Sequence, residues 1–160
     1  MKLETIKNAV LVWGIISHEH IACLKDEDAL VIVPEQRPYC VGIHHNLPLL
    51  SSHYIPAVYC TDNMIGILFY TKKIKKTFLF CRKGSLRPEG MTGASYAALL
   101  SEIHRVPVCI LAEGEYDLSG FDRDASTLAG HNFVVDERSK KYIIHSERET
   151  IGEEVPGSEV

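Results

Sequence analysis

Three cations, Arg82, Lys83 and Arg87, stand close together in a glycine-containing stretch that runs into Thr92-Gly93, where a helical pattern begins. The chemistry this suits is anion binding. Free backbone N–H groups and the helix dipole favour negative charge there by ~0.3–1 kcal/mol per charge at exposed sites. A phosphate is the natural ligand; the alternative is a solvated surface loop with incidental charge. Arginine stays protonated and cannot accept a proton, so such a loop binds rather than catalyses. Glu89 is the one acid in the loop, a candidate general base or simply a charge partner for Arg87. Catalysis with altered chemistry would need an acid–base pair from Glu89, Asp62, Cys81 or a histidine such as His18 converging in one cleft. Arg37, after an apolar run, can fork onto a phosphate or form a structural ion pair. Asp62 and Asn63 read as caps of the helix that follows and also face the expected pocket rim.

Other chemistries lack their spacing. His18 and His20 are two apart and His44-His45 adjacent, so each pair diverges on a helix. No third ligand lies at zinc spacing, and no metal site or cofactor is expected. There is no G-x-S-x-G elbow, Walker loop or G-x-G-x-x-G after the first strand.

The elements that must position these residues alternate. Residues 9–13 (AVLVW), 29–33 (ALVIV), 55–60, 77–81 (TFLFC) and 107–111 read as buried strands. Helices are expected at 17–25 with Ser17 as cap, from Asn46-Leu47-Pro48 with Asn46 as cap, at 64–70, and at 92–105 with Thr92 as cap. Such alternation implies an α/β, Rossmann-like three-layer domain with a mainly parallel sheet. Ligands in such sheets sit at the carboxyl ends of the strands. Beyond residue 112, 113–130 reads as a polar loop, and 132–135 with 142–145 as a C-terminal hairpin or edge strands. The expected organisation is a polar lead-in over 1–8, the domain over 9–145 and an acidic flexible tail over 146–160.

Composition narrows the class. The chain has 160 residues, 46% apolar and 24% charged, enough for one domain with a hydrophobic core. A net charge of −4 argues against a nucleic-acid partner. No apolar run reaches the ~18 residues of a membrane span, so no membrane association is expected. Five cysteines with no C-x-x-C spacing indicate a reducing cytoplasm without disulfides.

The motifs together carry a resemblance. Glu35-Gln36-Arg37-Pro38 with Gly42, then Thr61-Asp62-Asn63-Met64, then Lys73-Ile74, then Gly93 with Ala98-Leu99-Leu100 and His104-Arg105-Val106-Pro107, occur in the order and spacing of one family. The chain resembles the C-terminal domain of the methylthioribose-1-phosphate isomerase and translation initiation factor 2B family over about residues 8–145. The resemblance implies a Rossmann-like domain that commonly dimerises. In the isomerases it binds a phosphorylated pentose and uses a cysteine after the first strand and an aspartate after the fourth as an acid–base pair. Here the first position follows Trp13-Gly14-Ile15 without a thiol, and the second falls at about Arg82. The family's glutamine falls at Val41, and its Asn-Lys pair near Gly90-Met91.

The expected function is therefore a homodimerising, isomerase-like module without the parental activity, binding a phosphorylated metabolite or a protein partner. The expected ligand residues are Arg37, Asp62, Asn63, Arg82, Lys83, Arg87, Thr92 and Gly93. The alternatives are a sugar-phosphate aldose–ketose isomerase with altered active-site residues, and a subunit that completes its site with another chain.

Overall fold

The computed structural model describes residues 1–84, 86–118 and 148–151. The predicted hairpin at 132–135 and 142–145 lies outside them. Five strands form a parallel sheet in the order β3 (Ala57–Cys60), β2 (Val31–Pro34), β1 (Ala9–Trp13), β4 (Ile74–Lys83), β6 (Val108–Ala112). The order reverses between β1 and β4, which makes their carboxyl ends the crevice where such folds bind ligands.

Strand alternation builds the three layers. Leu11, Trp13, Ile32 and Leu79 face one side, where α3 (Met64–Tyr70) contributes Ile65, Leu68 and Phe69 and α4 (Ala94–Ile103) contributes Ala94 and Ala97. Val10, Val12, Val31, Val33, Phe78 and Phe80 face the other, against Ile21 and Leu24 of α1 (Ile21–Asp26) and Leu49 and Leu50 of α2 (Leu47–Ser52). Both faces are covered, which is why β1 and β2 read as continuous apolar runs. Glu27 fastens the amino end of β4 to α1. Its carboxylate meets Lys75 and Lys76, chiefly Lys76, which holds its pKa below the usual carboxylate value.

Three features differ from the sequence expectation. The fourth strand runs to Lys83 and folds back as β5 (Pro88–Met91), antiparallel to it. Cys81 pairs with Ala112 of β6 on one edge and with Gly90 of β5 on the other. So β5 lies on the edge that β1 leaves after Trp13, over the switch-point crevice. The expected flexible tail, in turn, includes β7 (Arg148–Thr150) on the far edge of β5, and Ile151 is buried. An acidic composition concealed one aliphatic side chain with a slot to fill. The polar lead-in, finally, contains a 3-10 turn, Leu3–Thr5, and both Leu3 and Ile6 pack on the core.

Candidate functional site

Gly14 ends β1 with φ +96°, a conformation open to glycine. Two buried amides hold the loop it begins. Gln36 Oε1 accepts from Gly14 N at 2.7 Å, and Gln36 Nε2 donates to Gly14 O at 3.4 Å. Asn46 Nδ2 donates to the same carbonyl at 2.8 Å, while Asn46 Oδ1 accepts from Ile16 N at 3.0 Å. Asn46 is thus not a helix cap. A π-helical turn, Gly42–Asn46, continues into α2, and the side chain points back to β1.

The turn after β2 is clamped from β3. Both oxygens of Asp62 accept backbone N–H groups, Gln36 N at 2.6 Å and Arg37 N at 2.8 Å. Burial pushes the Asp62 pKa up, opposed by those two N–H bonds. Asp62 therefore holds the Arg-Pro turn instead of capping α3. Asn63 occupies the cap position without a side-chain cap bond, its Oδ1 accepting from the Thr61 hydroxyl at 2.6 Å. The Arg37-Pro38 bond is cis, and the Arg37 side chain, 45% exposed, reaches Glu35 at 3.3 Å. Arg37, Asp62 and Asn63 thus share one end of the sheet, beside β2 and β3.

The basic stretch is a β-hairpin, not a loop leading into a helix. Arg82 and Glu89 are cross-strand partners, and Arg82 Nε and Nη2 lie 2.9 and 2.8 Å from Glu89 Oε2. Arg82 thus supplies charge balance for Glu89 from across the hairpin. Lys83 is exposed at the strand end, and Arg87 sits in the connecting turn.

Thr92 does not cap α4. Gly93 takes that position at φ +91°, and the Thr92 hydroxyl is enclosed without a hydrogen bond. A Cβ on Gly93 would lie 2.1 Å from Trp13 Cζ2, so the glycine lets the indole pass and donate Nε1–H to Thr92 O at 3.0 Å. The N–H of Ser95 in the first turn of α4 is taken by the Glu149 carboxylate at 3.1 Å. The chain itself supplies the anion at that helix start.

The crevice beyond β1 is filled with hydrocarbon. Ile15, Tyr39, Val41 and Met91 are 2%, 1%, 0% and 1% exposed and form one cluster, covered by Tyr116 and Leu118. The covering segment is fastened by Gly114 N donating to Ile15 O at 2.8 Å and by Tyr116 lying 5.3 Å from the His45 ring. Glu113 and Arg148 form an ion pair nearby, their side chains only 12% and 17% exposed. Among the described residues, two clefts lie elsewhere. One, about 450 Å³, is at the amino ends of β2 and β3 beside Lys25, Asp28 and Tyr54. The other, about 220 Å³, is beside Leu3, Val58 and Met64. Among the described residues, no three His, Cys, Asp or Glu side chains gather as a metal requires, and no helix is long and apolar enough to cross a membrane.

The thiols are placed for packing. Burial, then the nearby Asp62 and Glu35, pushes Cys60 up to about 12, and burial with Glu113 pushes Cys81 to about 11. At pH 8 the Cys60 thiolate fraction is about a thousandfold below that of a thiol at 9.0. Iodoacetamide at pH 8 is expected to spare Cys60 and Cys81 in the native protein and to modify both in urea, read by peptide mass spectrometry. Rapid native modification of Cys60 would contradict its placement.

The buried amide roles of Gln36 and Asn46, Tyr39 and the Glu113–Arg148 pair escaped the sequence reading. Gln36 is legible only as part of the Arg-Pro motif and Asn46 only as a helix cap, because their partners are distant in sequence.

A family model described as the Initiation factor 2 subunit family matches residues 2–154. A search of curated proteins finds no match. Among solved structures, the 5-methylthioribose 1-phosphate isomerase of Pyrococcus horikoshii OT3 superposes with a TM-score of 0.58 at 12% identity, covering 69% of this chain and 35% of that one. The translation initiation factor eIF-2B subunit delta of A. fulgidus gives 0.55 at 16% identity, covering 76% and 42%. The P. horikoshii OT3 translation initiation factor eIF-2B gives 0.54 at 16%, covering 69% and 42%. This chain thus spans under half the length of these neighbours, and the likeness is one of fold. With the parallel sheet in place and a family model that covers nearly all of it, the chain belongs to the Initiation factor 2 subunit family.

Proposed function

We propose that this chain is a cytoplasmic, dimerising, non-catalytic module of isomerase-like fold that binds a phosphorylated metabolite or a protein partner. One observation carries the loss of activity. Ile15, Val41 and Met91 stand at or beside positions where the resemblance expects acid–base and pocket groups, and they pack with Tyr39 as one buried cluster. Aldose–ketose isomerisation needs a base for the C2 proton and an acid at the carbonyl oxygen. The side chains of Ile15, Val41 and Met91 supply neither, and the remaining expected position holds Arg82, paired with Glu89.

Phosphate binding is supported by Arg37 at the carboxyl end of β2 and by Arg82, Lys83 and Arg87 on the hairpin. Dimerisation is supported by apolar side chains that α3 and α4 leave outside, chiefly Tyr70, Leu99 and Ile103 at 75%, 51% and 62% exposure. The purified protein is expected to give no turnover of methylthioribose 1-phosphate or ribose 1,5-bisphosphate, and measurable turnover would end the non-catalytic reading. A thermal-shift panel of pentose phosphates, nucleotides and inorganic phosphate tests binding, with stabilisation lost in Arg37→Ala or Arg87→Ala. A flat panel would leave only the protein-partner reading. Gel filtration of Leu99→Glu tests the dimer: a mass unchanged from that of the unaltered protein argues against this face.

A further inference from the structure

The outer edge of β5 carries a peptide whose contacts resemble recognition more than simple chain closure. Arg148–Thr150 pairs antiparallel with β5 in the register Glu89 with Thr150, Gly90 with Glu149 and Met91 with Arg148. Ile151 N donates to Pro88 O at 3.0 Å, and Ser95 Oγ donates to Thr150 O at 3.2 Å. Glu149 and Ile151 are two apart, so both face α4. Glu149 accepts from Ser95 N in the first turn of that ten-residue helix. Ile151, 8% exposed, enters the core beside Ala94 and Ala97. Gly90 makes the slot: a Cβ there would lie 2.4 Å from Ala94 Cβ and 3.2 Å from Ile151 Cδ1. Main-chain pairing along an edge, with a charge seat and an apolar slot for alternate side chains, is the pattern of strand addition.

We infer that the β5 edge and the α4 N-terminus form a strand-docking site for an extended foreign peptide carrying a carboxylate two residues ahead of an aliphatic side chain. The chain's own residues 148–151 occupy this site in cis. The occupant seen there states the chemistry that the site accepts. A strand of three residues at the end of a sheet opens more readily than the parallel core. A tethered occupant competes at roughly millimolar effective concentration, so a foreign peptide binds well only when the cis segment is released or outcompeted. The inference stands apart from the loss of isomerase chemistry: only the Met91–Arg148 backbone pair touches the apolar cluster beyond β1, and the seats of Glu149 and Ile151 lie outside it.

The test uses the full chain carrying Glu149→Gln with Ile151→Ser, and a fluorescent peptide spanning residues 147–152. The expected result is saturable binding to the double variant and roughly hundredfold weaker binding to the unaltered protein. A peptide carrying the same two changes should not bind. No binding to a double variant that keeps its circular dichroism and cooperative melting overturns the proposal. A double variant that gains mass on mixing with otherwise unaltered protein, both carrying Leu99→Glu to remove the α3–α4 face, overturns the foreign occupant in favour of a second copy. Should the double variant fail to fold, hydrogen exchange on the unaltered protein decides. The Ile151 amide is expected to exchange about a hundredfold faster than those of Val10 and Val12. Equal protection would make β7 a fixed part of the sheet and overturn the proposal.

Discussion

Gly14→Ala is expected to cost the protein a large part of its stability. The new Cβ would lie 2.2 Å from the Phe80 carbonyl oxygen in the neighbouring strand, and backbone in a parallel sheet cannot step aside. The residue also sits at φ +96°, which costs an L-residue about 1–3 kcal/mol where the surroundings enforce it. Overpacking a dense interior costs about 1–3 kcal/mol more. Together, roughly 2–6 kcal/mol is a large part of the 5–15 kcal/mol that holds a typical domain. The strain has a second consequence. Moving Gly14 to relieve the clash breaks its bonds to Gln36 and Asn46, which fix the loop before the apolar cluster. Urea titration is the measurement. A midpoint within error of the unaltered protein would show that the β1–β4 contact is looser than described.

Asn46→Ala is expected to destabilise by about 2–4 kcal/mol, although it removes no charge and little volume. Asn46 is fully buried. Its loss strips Ile16 N of its acceptor and leaves Gly14 O only the longer bond from Gln36. A buried donor or acceptor without a partner costs about 1–3 kcal/mol. Asn46→Asp should be no better. It keeps an acceptor for Ile16 N, sets a second oxygen against Gly14 O and buries a charge. By contrast, the exposed Asn63→Ala is expected to cost under about 0.5 kcal/mol, because Asn63 makes no cap bond. Parallel denaturation of the three variants checks the ranking. Equal losses at positions 46 and 63 would contradict the assigned roles.

Both substitutions act on how the loop after β1 is held. That loop, the Arg-Pro turn and the π-helical turn form one hydrogen-bonded unit at the carboxyl end of the sheet. Its polar groups mostly satisfy one another, and its apolar groups close on Met91.

The local pattern alone was enough to place β1 at 9–13 and α3 at 64–70, because an apolar run or a helical face is written in neighbouring residues. Alternation of strands and helices likewise implied the parallel sheet, since a crossover helix is needed to join parallel strands. Local pattern misassigned Asn46, Asp62 and Thr92. Each stands where a capping residue stands before a helix, and each has the right side chain. Their roles depend on partners far away in sequence: Ile16 for Asn46, Arg37 for Asp62, and Trp13 for the backbone of Thr92. The basic stretch misled for a related reason. Arg82 and Glu89 read as loop charges until the β4–β5 register sets them opposite each other. Ile15, Val41 and Met91 are unremarkable apolar residues in a string of letters; only the sheet's switch point brings them together as a plug. Composition and periodicity thus determined which segments are strands and helices and which faces are buried. Tertiary structure decided which polar group answers which, and so what became of the site, because burial leaves each such group only the partners within hydrogen-bond reach.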